Sequence, residues 1–174
     1  MNFDWKEALE MLERTPRALE SLLLGLSDPW LRCNEGEGTW KVSEVIDHLM
    51  EAEKNNWMCR IEWLLANGEN KPFPPFDRFA HLRNPSGSSM EKKLFEFKSM
   101  RSNNISRLKA LIEPDKHLGL KGLHPDFGSV KLSELLSTWV VHDLTHMVQI
   151  ARVMAKRYTE DVGPWIEYLG ILRK

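Results

Sequence analysis

The sequence predicts an all-α protein, a four-helix bundle built from one 174-residue chain. Three observations carry that expectation. Four long stretches place apolar residues at helical period, the prolines and glycines gather between those stretches, and no run alternates β-branched residues as a strand would. Four helices of about 20 residues each suit a bundle. The chain has the length of a single domain, here residues 1–174. At that size it should bury about 70% of its unfolded surface without a disulfide framework.

The first helical stretch runs from about Asp4 to Leu26. Pro16 follows Thr15, so two helices or one kinked helix are expected there. The second runs from about Val42 to Asn67, with Ser43 as a candidate cap and Gly68 as a stop. The third runs from about Ser89 to Ile112 and ends before Pro114. The fourth runs from about Lys131 to Tyr158 and starts near Lys131 or Ser133. A short C-terminal helix is expected from Pro164, after Gly163. The best strand candidate, Phe127–Val130, is too short to build a sheet. Between the second and third stretches lies a long crossover loop from Gly68 to Ser88. It holds Pro72, Pro74, Pro75 and Pro85, with Phe73, Phe76 and Phe79 interleaved. Two readings stay open: a lid or binding loop, or a stiff crossover whose phenylalanines cap the bundle end.

Composition narrows the partners. Apolar residues make up 42% and charged residues 28%, as in globular proteins. Lys and Arg number 24 against 25 Asp and Glu, a net charge of −1, so the general basic footprint of a nucleic-acid binder is absent. No apolar run approaches the ~20 residues of a spanning helix, so no membrane partner is expected. Met1–Glu7 lacks the basic start and apolar core of a signal peptide. Two cysteines, Cys33 and Cys59, do not make a disulfide-rich secreted fold. A soluble cytoplasmic protein is the expectation.

The histidines carry the chemistry. His142 and His146 are four apart in the fourth stretch and share one helix face. Leu132, Leu135, Ile150 and Val153 lie within about 40° of Trp139; His146 lies about 20° from it and His142 about 60°. Both imidazoles therefore point inward. Their ring nitrogens need partners there, and a metal ion is one economical answer, since an i, i+4 pair is a standard half-site for zinc-like ions. His48, at the edge of the arc marked by Val45, Ala52, Cys59 and Trp63, is the candidate third ligand. Three neutral imidazoles would leave an open position, as in catalytic sites. The competing reading leaves His48 at the edge and the other two hydrogen-bonded in the core. His81 and His117 read as ordinary surface histidines in loops, and His124 as a loop residue near the bundle end.

Taken in order, Trp40-Lys-Val-Ser-Glu-Val-Ile-Asp-His48-Leu49, then His124-Pro125-Asp-Phe-Gly128-Ser-Val-Lys-Leu132, then His142-Asp-Leu-Thr-His146-Met-Val-Gln149-Ile150 resembles the DinB/YfiT-like superfamily from about Trp5 to Tyr158. The resemblance implies a four-helix bundle of that type holding one divalent ion on His48, His142 and His146. Zinc or nickel would be the ion, with manganese a third candidate. It also implies a homodimer. Some members of the family are thiol S-transferases using bacillithiol or mycothiol, or a mycothiol-dependent isomerase. Others are described as metal-dependent hydrolases, and many have no known substrate.

Other inward polar residues need explanation. Asp143 falls inside the apolar arc, where a carboxylate needs a partner: an imidazole N–H, an indole, an Arg, or a proton it removes as a base. Gln149, one turn past His146, can hydrogen-bond at the rim of the site or face solvent. Asp143 and Gln149 are the candidate catalytic residues. Arg101 lies on the stripe of Leu94, Ile105, Leu108 and Ile112. It would hold Asp143 or Glu51, or clamp a substrate carboxylate as a binding residue. Glu44 and Glu51 read as a solvated face. Cys59 lies roughly 16 Å along the helix from His48, too far to ligate with it. His-Asp-x-x-His resembles a zinc-protease motif, but the carboxylate is one methylene short and no downstream ligand follows.

Three functions follow. A metal-dependent transferase would use a low-molecular-weight thiol against an electrophile. A hydrolase would use metal-bound hydroxide on the same ion. A non-catalytic metal-binding or dimerising stress-response protein would have a closed site.

Overall fold

A computed structural model describes residues 3–173. Met1 and Asn2, which belong to the N-terminal reading, and Lys174, the end of the expected domain, lie outside the described residues. Helix α1 (Trp5–Leu23) begins where Asp4 Oδ1 accepts the Lys6 and Glu7 N–H groups at 2.8 and 2.9 Å. It runs through Pro16 as one helix, not two. Proline removes the N–H that would pair with the carbonyl four residues back. That carbonyl, on Leu12, instead accepts Arg101 Nη1 at 2.8 Å.

A short α2 (Asp28–Arg32) leads to α3 (Val42–Asn55). The cap of α3 is not Ser43: Glu44 reaches back to accept the Lys41 N–H at 2.8 Å. Lys131 and Glu134 repeat the device at 2.7 Å at the head of α8 (Leu132–Lys156). The single helix expected over 42–67 is two. It breaks at Asn56, and α4 (Trp57–Asn67) continues to Gly68, whose φ of 54° ends it as expected. The crossover contains a one-turn α5 (Ala80–Arg83). It ends at Ser89, whose hydroxyl caps α6 (Met90–Leu111). A single turn, α7 (Pro114–His117), precedes the strands.

The strands form a hairpin, β1 (Lys121–His124) antiparallel to β2 (Gly128–Lys131). Only part of β2 falls in the Phe127–Val130 candidate, and β1 has no β-branched residue to announce it. The loop secures the hairpin, with Phe73 N–H donating to the Leu123 carbonyl at 2.8 Å. The C-terminal segment forms two 3-10 turns, Gly163–Tyr168 and Gly170–Leu172, in place of the expected helix.

The frame is four-helical: α1 packs against α6 and α8, and so does α3, so α1 and α3 face each other diagonally. Two apolar clusters fill it. One gathers Leu9, Leu12, Ile61, Leu108, Leu132 and Trp139; the other gathers Leu19, Leu23, Ile46, Phe97, Ile150 and Val153. Each fully buried aliphatic or aromatic side chain contributes about 1.5–3 kcal/mol relative to exposure. Between the clusters every long helix supplies polar residues at its middle: Thr15, His48 and Glu53, Arg101 and Asn104, His146 and Asp143. Among the described residues no helix is long and apolar enough to cross a membrane.

Candidate metal centre

The polar layer has two halves. In one, Arg101 is 2% exposed and spends all five N–H groups. Two go to Glu53 Oε1 at 3.0 and 2.8 Å, two to the Asp143 carboxylate at 2.6 and 3.0 Å, and one to the Leu12 carbonyl. Glu53 also accepts the Trp139 indole N–H at 3.1 Å and the Asn104 amide at 2.9 Å. Burial works against the charge of Arg101, but the two carboxylates outweigh it and hold the guanidinium more firmly protonated than usual. Two expectations are corrected here. Arg101 has no donor left for a substrate carboxylate, and its second partner is Glu53, not Glu51. Asp143 is saturated by Arg101 and is not a base poised on the histidines.

In the other half, His48 on α3 meets His142 and His146 on α8. The Nε2 atoms of His48 and His146 lie 3.1 and 3.2 Å from His142 Nε2, and one donor atom from each of the three rings falls within 4.8 Å of the others. The outer ring nitrogens fix the tautomers. His48 Nδ1–H donates to the Arg78 carbonyl at 3.2 Å, and His146 Nδ1–H to Gln149 Oε1 at 2.7 Å. Their Nε2 atoms are then bare lone pairs. His142 Nδ1 is buried without a partner among the described residues, and His142 brings at most one proton to the two Nε2 contacts. Hydrogen bonding cannot satisfy this trio.

A cation can. Ligands about 2.0–2.1 Å from a tetrahedral ion sit roughly 3.3–3.4 Å apart, close to the spacing seen. The charged state of the rings is also disfavoured. Burial, with the neighbouring imidazoles, lowers the pKa of His48 to about 4 and of His142 to about 3. Burial lowers His146 too, against the bond to Gln149. Neutral imidazoles with converging lone pairs are ligands. Gln149 thus sits behind the ring of His146 and orients it, rather than at the rim as a catalytic group.

Aromatic rings wall the centre. Trp40 lies 4.9 Å from His48 and stacks on His146 at 6.2 Å between centroids. Trp57 stacks on Trp139 and meets His142 nearly perpendicular, 5.1 Å between centroids. From the crossover loop, Phe76 reaches His48 at 6.3 Å, Phe79 meets Trp40, and Phe73 is buried in the core. The loop both caps the bundle and lies over the histidines. On the outer side, a groove of about 420 Å³ runs beside His142, lined also by Ser137, Thr138, Val141 and Thr145.

His81 departs from its surface reading. It is 5% exposed, at a steep angle to Trp40 at 4.6 Å and 5.2 Å from His48, and among the described residues neither ring nitrogen makes a hydrogen bond of good geometry. Burial lowers its pKa. No periodicity in the loop could have shown this. His117 and His124 accept nearby backbone N–H groups, and His124 Nδ1 also lies 4.0 Å from the Asp126 carboxylate. Cys59 is exposed and Cys33 half-buried, and neither joins the histidines.

A four-helix frame with three neutral, inward imidazoles defines a helical-bundle protein whose core fits a metal ion. A sequence profile of the DinB superfamily matches residues 11–150, and the chain belongs to that superfamily. A protein of Oceanobacillus iheyensis named "putative metal-dependent hydrolase" is 24% identical over 153 residues, covering 87% of this chain and 86% of its own. A protein of the same name in Geobacillus kaustophilus is 25% identical over 158 residues, covering 88% and 84%. Among solved structures, YfiT from Bacillus subtilis superposes with a TM-score of 0.72 at 20% identity, covering 87% of this chain and 86% of that one. It is described as a probable metal-dependent hydrolase with an unusual four-helix bundle topology. The four-helix bundle protein TT2238 superposes with a TM-score of 0.55 at 22% identity, covering 87% and 99%. These likenesses show the four-helix bundle fold.

Proposed function

We propose that this chain is a metal-dependent hydrolase holding one divalent ion on the Nε2 atoms of His48, His142 and His146. The observation that carries the reading is the proton count: three converging ring nitrogens share at most one proton. The names of the relatives from Oceanobacillus and Geobacillus support the same reaction class. Three imidazoles with an open position suit zinc or nickel better than manganese, which favours oxygen ligands. When bound, such an ion supplies Lewis acidity, polarising a substrate oxygen and acidifying a group in its open position.

The chain's own residues do the rest. Arg78, through its carbonyl, and Gln149 keep the Nε2 atoms of His48 and His146 unprotonated and the rings turned inward. Trp40, Trp57 and Phe76 exclude water around the imidazoles, and the groove beside His142 admits a substrate.

A second reading, transfer of a low-molecular-weight thiol, is favoured by one feature. Among the described residues the buried carboxylates are held by cations: Asp47 by Lys93, and Glu53 and Asp143 by Arg101. None is free to take a proton from water, whereas a thiol acidified by a metal needs no further base. The test is turnover of aryl esters by zinc- or nickel-loaded protein, with and without added cysteine. Ester cleavage without thiol, abolished by chelation, supports hydrolysis. Turnover only with thiol supports transfer, and no turnover with either sinks both. A homodimer in the cytoplasm completes the proposal. The exposed Leu144 and Val148 of α8, outside the groove, offer an apolar face for a second copy, and sedimentation at micromolar concentration tests it.

A further inference from the structure

Three cations are drawn into the body of the fold, and two have acids. Lys93 Nζ lies 2.6 Å from Asp47, and Arg101 is held by Glu53 and Asp143. The third, Arg60 on α4, is half-buried and makes no hydrogen bond or ion pair among the described residues. Its Nε is shielded from solvent and unsatisfied, while the outer amino groups are not enclosed. Asp126, on the hairpin turn, acts on it only at a distance. A partly desolvated cation whose nearest acid does not touch it is costly unless a further group pairs with it.

The surroundings of Arg60 are shaped and rigid. Its guanidinium lies over the Phe73 ring, 5.6 Å from the centroid. Phe73 is 3% exposed, and Gly122 makes room for it: a Cβ at that position would come within 2.8 Å of the ring. His124 meets the same ring edge-on at 6.2 Å. Its Nδ1 accepts the Asp126 and Phe127 N–H groups at 3.1 and 3.3 Å. The proton of the neutral ring therefore sits on Nε2, a second donor with no partner among the described residues. Arg60 is three residues past Trp57, about 4.5 Å along the helix axis. Trp57 is the residue whose ring meets His142 nearly perpendicular.

We propose that Arg60 and His124, both set against the Phe73 ring and separated from the three-histidine centre by Trp57, form an anion subsite that grips an acidic group of the substrate, a carboxylate or a phosphate. A guanidinium fork matches either anion, and a neutral imidazole N–H adds a third hydrogen bond. Assigning the anion to a substrate rests on the metal-dependent reading above; the subsite itself does not.

The test follows the Arg60 Nε–H and His124 ring signals of ¹⁵N-labelled protein, metal-free and zinc-loaded, during titration with sodium phosphate and with sodium acetate. Saturable shifts in both forms are expected, and the anion that binds more tightly names the acidic group. Arg60→Gln should weaken that binding about tenfold or more, the loss of a charged hydrogen bond. Arg60→Lys should lose less, and His124→Gln should weaken binding without removing it, with zinc content unchanged in all three. No saturable shift in the wild type, or equal affinity in Arg60→Gln, overturns the proposal. Binding seen only with zinc and kept in Arg60→Gln also overturns it, since the anion is then on the metal. Binding by a protein that takes up no zinc upholds the subsite and removes the metal-dependent reading.

Discussion

Arg101 and His142 stand at the same level of the bundle, between the same two apolar clusters, yet their surroundings are finished to different degrees. Around Arg101 every N–H has an acceptor: Glu53, Asp143 and the Leu12 carbonyl left over by Pro16. Around His142 two neighbouring Nε2 atoms offer lone pairs where a donor is needed, and His142 Nδ1 has no partner among the described residues. A buried polar cluster that closes on itself is part of the framework, and one that needs a further positive charge is a place for an ion. The contrast also separates two inward carboxylate–cation questions that look alike along the chain. Asp143 is one residue from a histidine of the centre, yet it belongs to the framework side.

The comparison can be broken hardest at Arg101. Arg101→Met should cost about 3–5 kcal/mol of folding stability, because Glu53 and Asp143 are left buried without a counter-charge. Denaturant unfolding of metal-free protein measures it. On the other side, Gln149→Leu should leave metal-free stability nearly unchanged but weaken metal binding about 10–100-fold, the effect of losing an outer partner of a ligating ring. Competition with a chromogenic chelator reads that loss.

Acid sharpens the difference. In the unfolded chain the histidines take up protons near 6.5, whereas folded His48 holds out to about 4 and His142 to about 3. Between those values the unfolded state binds more protons, so stability of the metal-free protein is full above about 6.5 and falls as pH drops towards 4. Unfolding at a series of pH values checks the direction, and the fall should shrink in His142→Ala. The smallest effect is expected at Pro16. Pro16→Ala restores an N–H that competes for the Leu12 carbonyl, but Arg101 keeps its four bonds to Glu53 and Asp143. The change should stay below about 1 kcal/mol, measured by the same unfolding experiment.

Much of this layout is legible in the residues. The helical period places His142, His146 and Asp143 on the inner face of α8 and Arg101 on that of α6; His146, Asp143 and Arg101 are buried in the fold, and His142 is half-buried between His48 and the outer groove. What periodicity misses is where a helix changes phase. Asn56 breaks the 42–67 segment without a proline or glycine to mark it. The arc that carries Val45 and Ala52 therefore does not extend to Cys59, which is exposed. Glu53 rather than Glu51 turns in to meet Arg101 for a reason of contact, not of period: it collects Arg101, Trp139 and Asn104 from two other helices. Burial of His81 and pairing of β1 likewise depend on groups distant in sequence, Trp40 and the Phe73 backbone. Such residues lie in loops, where no repeat reports which side faces in.

In the proposed reading an ion completes the unfinished half of the polar layer. The direct measurement is the metal content of tag-free protein, wild type beside His146→Ala, after equilibration with zinc or nickel and removal of free metal. The expected result is about one ion per chain in the wild type and far less in the variant, with Arg101 and its partners undisturbed by circular dichroism and unfolding. No bound ion in the wild type, or equal content in a folded His146→Ala, would contradict the account and return the three histidines to the core.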